Sequence, residues 1–173
     1  MAIDNLSVLG DNPLRVYIHD AAGGSLRRQF GSVSVPSLGI SLTYGTGSGQ
    51  ANTLYCNSRS VNPTSYDLVD LAGSLTDGVG NTITFTKIKL ALLAIVSPDG
   101  TKLLRVGPQA QSNPFLGGWG GTGSTVYKAV YDWDLTNYEP VSGLTVTAST
   151  GDIFPVYNPG GSAVSYFLLL AGV

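Results

Sequence analysis

The chain of 173 residues contains one histidine, one cysteine and one methionine, and only 12% of its residues are charged. Each scarcity closes off a chemistry. A Ser-His-Asp relay or a histidine-rich metal centre would rest on His19 alone, and no G-x-S-x-G frame supplies a nucleophile. His19 is therefore assigned a structural or surface role. Cys56 has no second thiol for an internal disulfide and is expected as a small apolar residue in a strand. The charged share is about half the usual one, and a net charge of −2 leaves no basic footprint for nucleic acid. Neither apolar run, Leu90 to Val96 or Tyr166 to Ala171, approaches the roughly 20 residues of a membrane-spanning helix. The N-terminus lacks the basic flank, apolar stretch and small-residue site of a secretory signal. The expectation is a protein made in a cytoplasm, with no cofactor, no metal, no membrane and no nucleic-acid partner.

What the chain has in quantity is β punctuation. Twenty-three glycines and nine prolines cut it into short pieces rich in valine, isoleucine, threonine and tyrosine. Strands are expected at "RVYIH" from Arg15, "SVSV" from Ser32, "GISLTY" from Gly39, "NTLYC" from Asn52, "SYDLVDL" from Ser65 and "LALLAIV" from Leu90. More follow at "TKLLRV" from Thr101, "STVYKAVYDW" from Ser124, "LTVT" from Leu144, "GDIFPVY" from Gly151 and "AVSYFLLLA" from Ala163. Short strands with turns every 8 to 12 residues or so predict an all-β fold, a jelly-roll-like sandwich of roughly 8 to 10 strands. "SPDG" (97–100) and "NPGG" (158–161) predict hairpin turns, making the C-terminal strand the return arm of a hairpin. That strand is apolar on both faces and must be covered on both, by the facing sheet and by loops or another subunit. In "TFTKIKLALL" the spacing of Phe85, Ile88 and Leu92 predicts a turn or two of helix over Thr84 to Lys89. Residues 1–35 lack steady periodicity and are assigned to an N-terminal arm; residues 36–173 form a single sandwich domain.

Few segments carry chemistry. The glycine-rich "YGTGSGQ" (44–50) lacks the lysine and hydroxyl of a phosphate loop and is expected as a plain inter-strand loop. Asp67 with Asp70, and Asp132 with Asp134, are the paired acids available to a hydrolase or a cation, but no calcium-loop pattern surrounds them, so solvated strand ends are expected. "NPFLGGWGGTG" (113–123) sets Phe115, Leu116 and Trp119 among five glycines. Large apolar groups on such a loop must dock, on the chain's own core, on a partner as aromatic anchors, or on a sugar. With 43% hydrophobic residues and so little charge, much of the surface is expected to be covered by other protein.

Taken in order, "DLAGSLTDGVGNTITFTKIKLALLAI", "SNPFLGG" and "TVTASTGDIFPVYNPGGSAVSYFLLLAG" resemble a family of tailed-phage and prophage capsid decoration, or cement, proteins. The matching positions are Asp70 to Gly73, Leu75 to Asp77, Thr84–Phe85, Ile88–Lys89, Asn113, Phe115 and Thr147 to Asp152, across about residues 42–173. The chain departs from the pattern in its longer N-terminus and in "TVYKAVYDWDLTNYEPVSG". The resemblance implies a non-enzymatic β-sandwich, assembled as homotrimers on the outside of a virion and bound to the major capsid protein. Contacts are then expected from the arm through Leu6, Val8, Arg15, Arg27 and Arg28, and from the glycine-rich loop through Phe115, Leu116 and Trp119. Two rivals predict other things: a fibre, spike or lectin-like module binds host carbohydrate through exposed aromatics, and a hydrolase gathers Asp67, Asp70, Asp132 or Asp134 in one pocket.

Overall fold

The computed structural model describes residues 3–9, 15–20, 25–29, 40–73, 75–77, 80–96, 99–108, 111–117 and 127–173; before residue 40, and at residues 136 and 137, the description is of the backbone. The strand expected at Ser32, the domain boundary placed near residue 35, and Trp119 lie outside the described residues. The elements are all strands: β1 (Ile3–Leu9), β2 (Arg15–Asp20), β3 (Ser25–Gln29), β4 (Ile40–Tyr44), β5 (Gln50–Ala51), β6 (Thr53–Val61), β7 (Ser65–Asp70) and β8 (Leu75–Thr76). They continue with β9 (Thr82–Ile83), β10 (Lys87–Ile95), β11 (Leu104–Val106), β12 (Lys128–Val130), β13 (Trp133–Tyr138), β14 (Leu144–Thr145), β15 (Ile153–Asn158) and β16 (Val164–Gly172).

Two antiparallel sheets form the sandwich, the central one five-stranded, with the short β14 also pairing with β10, and the outer one four-stranded. The central sheet runs β13-β10-β16-β6 and the outer sheet runs β12-β11-β15-β7. The two orders match position for position, so the consecutive pairs β6/β7, β10/β11, β12/β13 and β15/β16 each divide between the two sheets. This corrects two expectations. β10 and β11 do not pair as a hairpin, nor do β15 and β16; in each case the second strand lies in the other layer. At the second crossing the buried Asn158 donates from Nδ2 to the carbonyls of Val61 and Ser162 and accepts from the amide of Gly160, so a side chain with no exposed surface fixes the path. The stretch "STVYKAVYDW" likewise supplies β12 to one sheet and the start of β13 to the other.

A third sheet, β3-β2-β1-β4-β5, is built largely from the N-terminal residues. The sequence there shows little alternation, yet β1 pairs with β4 through Leu6↔Leu42 and Val8↔Ile40, and with β2 through Asn5↔His19. Ile40 and Leu42 of β4 pack with Leu90, Leu92, Ala94, Phe167, Leu169 and Ala171 of the central sheet. The other face of the central sheet turns Tyr166, Leu168 and Leu170 toward Val69, Leu104, Phe154 and Val156. β16 is therefore apolar at every position from 166 to 171 because it lies in the middle layer of three. Fully burying each such Leu or Phe is worth about 1.5–3 kcal/mol.

No helix forms over Thr84 to Lys89. Phe85 and Ile88 enter the inner core whereas Leu92 faces the other side of the sheet, so their spacing does not mark one face. The pattern is broken by a β-bulge: Ile88 opposes Gly172 and Leu90 opposes Ala171, leaving Lys89 as the extra residue. Beside the bulge, Val173 N and O bond with Lys87 O and N. At Gly172 a Cβ would lie 1.9 Å from the Lys87 carbonyl oxygen, so backbone meets backbone where only glycine fits. Gly172→Ala should destabilise the fold by about 1–3 kcal/mol, as overpacking does, measured by urea unfolding; an unchanged midpoint would show that this approach is not close.

Candidate interaction surface

Of the four acids that a hydrolase or cation site would need, Asp67, Asp70 and Asp134 are engaged elsewhere and Asp132 is exposed to solvent. On β6 and β7, Arg59 donates from Nε and Nη2 to both carboxylate oxygens of Asp67, each at 2.6 Å. Its Nη1 donates to Tyr55 Oη at 2.8 Å, and Tyr166 Oη donates to Asp67 Oδ2 at 2.7 Å. The four side chains fill the opening between the two sheets where their edge strands β6 and β7 end the sandwich. At the opposite edge, Lys128 of β12 reaches Asp134 of β13 at 2.6 Å. An ion pair thus joins the two sheets at each lateral edge of the sandwich. Asp70, on the other face of β7 from Asp67, accepts the amide of Ala72 to shape the following turn. Among the described residues no three His, Cys, Asp or Glu side chains come together in a metal-binding group.

The electrostatics follow from burial and partners. Burial alone pushes the Asp67 carboxyl upward, but the bonds from Arg59 and Tyr166 outweigh it and hold the acid below the ordinary carboxylate range. Arg59 is held more firmly protonated, chiefly by its bond to Asp67. Burial, with the Asp67 charge beside it, raises the Tyr166 phenol well above its usual value. The side chains of Arg59 and Asp67 are 26% and 14% exposed, so solvent screens them only partly.

Lys89 is the charge that the sequence did not advertise. The bulge on β10 aims it at the glycine-rich loop, where its ammonium donates to the carbonyl of Gly47, with the Thr46 carbonyl 3.5 Å away. The residue is 1% exposed, and burial, reinforced by Lys87, lowers its pKa. The loop turns carbonyls inward onto a cation, the opposite of an anion cradle. Its shape is held by Gln50, which accepts the Gly47 amide at 2.8 Å.

The residues on which the expected family resemblance rests are mostly turn chemistry. Asp77 accepts from the Asn81 backbone and side chain, and Asp152 accepts the Ser149 amide at 2.6 Å. Asn113, with φ of 56°, presents its carbonyl to the amides of Asp152 and Ile153. Phe115 enters the inner core, its ring packed so closely over Gly117 that a Cβ there would lie 2.4 Å from ring atoms. The docking expected of this loop is made, for Phe115, on the chain's own core. Leu116 stays 46% exposed. The backbones of Leu6 and Val8 lie in β1, Arg15 in β2, and Arg27 and Arg28 in β3.

Sequence reading passed over the outward face of the outer sheet. There Tyr66 of β7 stands opposite Tyr157 of β15 with ring centroids 4.5 Å apart, Tyr157 stands opposite Arg105 of β11, and the Arg105 guanidinium lies 4.5 Å from the centre of the Tyr127 ring. Leu68 and Pro155 pair in the neighbouring row. Tyr66, Leu68 and Tyr127 are exposed. Strand alternation carried the signal: outward Tyr66 and Leu68 alternate with inward Asp67 and Val69. Comparison with protein-family models, with characterised proteins and with solved structures finds no match.

The Arg59–Asp67 pair sets an acid limit on stability. A carboxyl whose folded pKa lies below its unfolded value stabilises the fold above the unfolded pKa, about 3.9, and that contribution disappears as pH falls through the folded value. Asp67→Asn should flatten this part of the stability profile below about pH 4 and cost about 3 kcal/mol at neutral pH, where it strands a half-buried guanidinium. Chemical denaturation from pH 7 down to pH 2, in both proteins, reads the effect; parallel profiles would remove Asp67 from the account.

Proposed function

We propose that this chain is a structural virion protein that decorates the outside of a phage head and stabilises the shell by protein-protein contact. The observation that carries this reading is the division of labour among side chains. Arg59, Asp67, Lys128 and Asp134 are spent on ion pairs at the sandwich edges and Lys89 on holding one loop, while the outward face of the outer sheet carries exposed tyrosine and leucine. Such a molecule acts by covering surface: apolar area stabilises a contact by about 25 cal/mol per Å² before ordering costs. The matched strand orders of the two sheets support a jelly-roll reading of the sandwich, an architecture that suits a shell component. In this role the major capsid protein is the partner. Leu116 and the N-terminal strands, with Leu6, Val8, Arg15, Arg27 and Arg28, supply further contacts, the arginines setting orientation more than affinity.

The tyrosine row also favours a second reading, a module that binds host carbohydrate. A glycan array separates the two: saccharide binding abolished by Tyr66→Ala and Tyr157→Ala would move the protein into that class. The primary test is particle endurance. Shells assembled without this chain should rupture at a lower temperature, and added protein should restore them; equal rupture temperatures would refute decoration as its role.

A further inference from the structure

Among the described residues the outer sheet ends at β7, whose pairing with β15 runs through all six residues with no register shift. A regular strand with one unpaired side is a template for another strand, and proteins blunt such edges with lysine, arginine, proline, bulges or extreme shortness. Most other sheet edges carry these devices: β3 holds Arg27 and Arg28, β5 is two residues long, β12 is three residues long and bears Lys128, and β13 has a register shift; β6 is long and regular like β7, but the side chains it exposes are the polar Asn57, Ser58 and Ser60. Ser65–Asp70 has no lysine, arginine, proline or bulge. The side chains it turns outward include Tyr66 and Leu68, 40% and 48% exposed. Its inward charge, Asp67, is neutralised by Arg59.

We propose that β7 is a self-association edge, on which a second copy of this chain pairs its own β7 antiparallel and joins the two outer sheets into one continuous sheet. The occupant follows from backbone valence and charge. The free N–H and C=O groups of a strand edge call for a strand, and an antiparallel pair of identical strands is closed and self-complementary about a two-fold axis. Keeping outward residues on one face of the joined sheet requires that the axis pass through a residue, and the two registers with most overlap are centred on Asp67 and on Leu68. The first sets Asp67 opposite Asp67 of the second copy, a like-charge pair. The second sets Leu68 against Leu68, and Tyr66 beside Asp70 of the second copy, with no like charges opposed. The axis therefore passes through Leu68.

The inference does not rest on the decoration role, its two-fold pairing differs from the homotrimer that the resemblance implies, and its test uses the purified chain without any shell. Mass measurement in solution should give two copies. Leu68→Cys should yield a covalent dimer with an oxidant or a short thiol cross-linker, whereas the wild-type chain, with Cys56 alone, should not. Leu68→Lys, a change at an exposed position, should leave the melting temperature of the fold in place and reduce the mass to one copy. A monomer at all concentrations, or an oligomer of any number that survives Leu68→Lys while Leu68→Cys fails to cross-link, would overturn the proposal.

Discussion

Burial of both faces of the central sheet is the constraint from which the rest of the architecture follows. β10 and β16 pair side by side and send alternate residues into two separate apolar layers, one shared with the outer sheet and one shared with β4. A two-layer sandwich would leave Phe167, Leu169, Leu90 and Leu92 in water. The N-terminal sheet is therefore a structural layer, with Ile40 and Leu42 as its buried anchors. The same constraint makes Gly172 a position without latitude, since the backbones of Lys87 and Gly172 must close the end of the layer together.

Charge is placed where the apolar layers run out. A sandwich of two open sheets has a gap along each lateral edge, and a hydrophobic side chain there would be only half covered. Arg59 with Asp67, and Lys128 with Asp134, fill those gaps with groups that tolerate partial hydration. The bidentate geometry at Asp67, and the hydroxyls of Tyr55 and Tyr166 around it, meet the hydrogen-bonding needs of a half-buried pair. Lys89 follows the same logic at the end of the sheet, where loop carbonyls substitute for water. With several of the chain's few charges consumed in this way, the outward face of the outer sheet exposes Tyr66, Leu68 and Tyr127. That is a surface suited to contact.

Much of the fold was legible because its signals are local. The all-β class, and the strands at Ser65, Leu90, Gly151 and Ala163, follow from β-branched and aromatic runs bounded by glycine and proline. Crossings were misread as hairpins because a turn sequence reports the local bend and carries no information about which layer receives the next strand. The helix expected at Thr84 failed because a single bulged residue, Lys89, imitates a change of period. β1 and β3 were missed because their own sequences, IDNLSVL and SLRRQ, alternate little, and they are defined by pairing with β2 and β4. The ion pairs were invisible for a related reason: Asp67 was judged with Asp70, its neighbour in sequence, while its true companion Arg59 lies across the sandwich and Tyr166 stands 99 positions along the chain. Phe115 was correctly recognised as a residue that must dock, and composition could not say on what.

The central claim, that the C-terminal strand is the middle of three layers, is tested most directly by a pair of adjacent truncations. Leu168 faces the outer sheet and Leu169 faces β4, so Leu168→Ala and Leu169→Ala should each lower the unfolding free energy by about 2–5 kcal/mol, as buried leucines do. A large loss at Leu168 together with little or none at Leu169 would show that the second face is not covered, and would contradict the three-layer account.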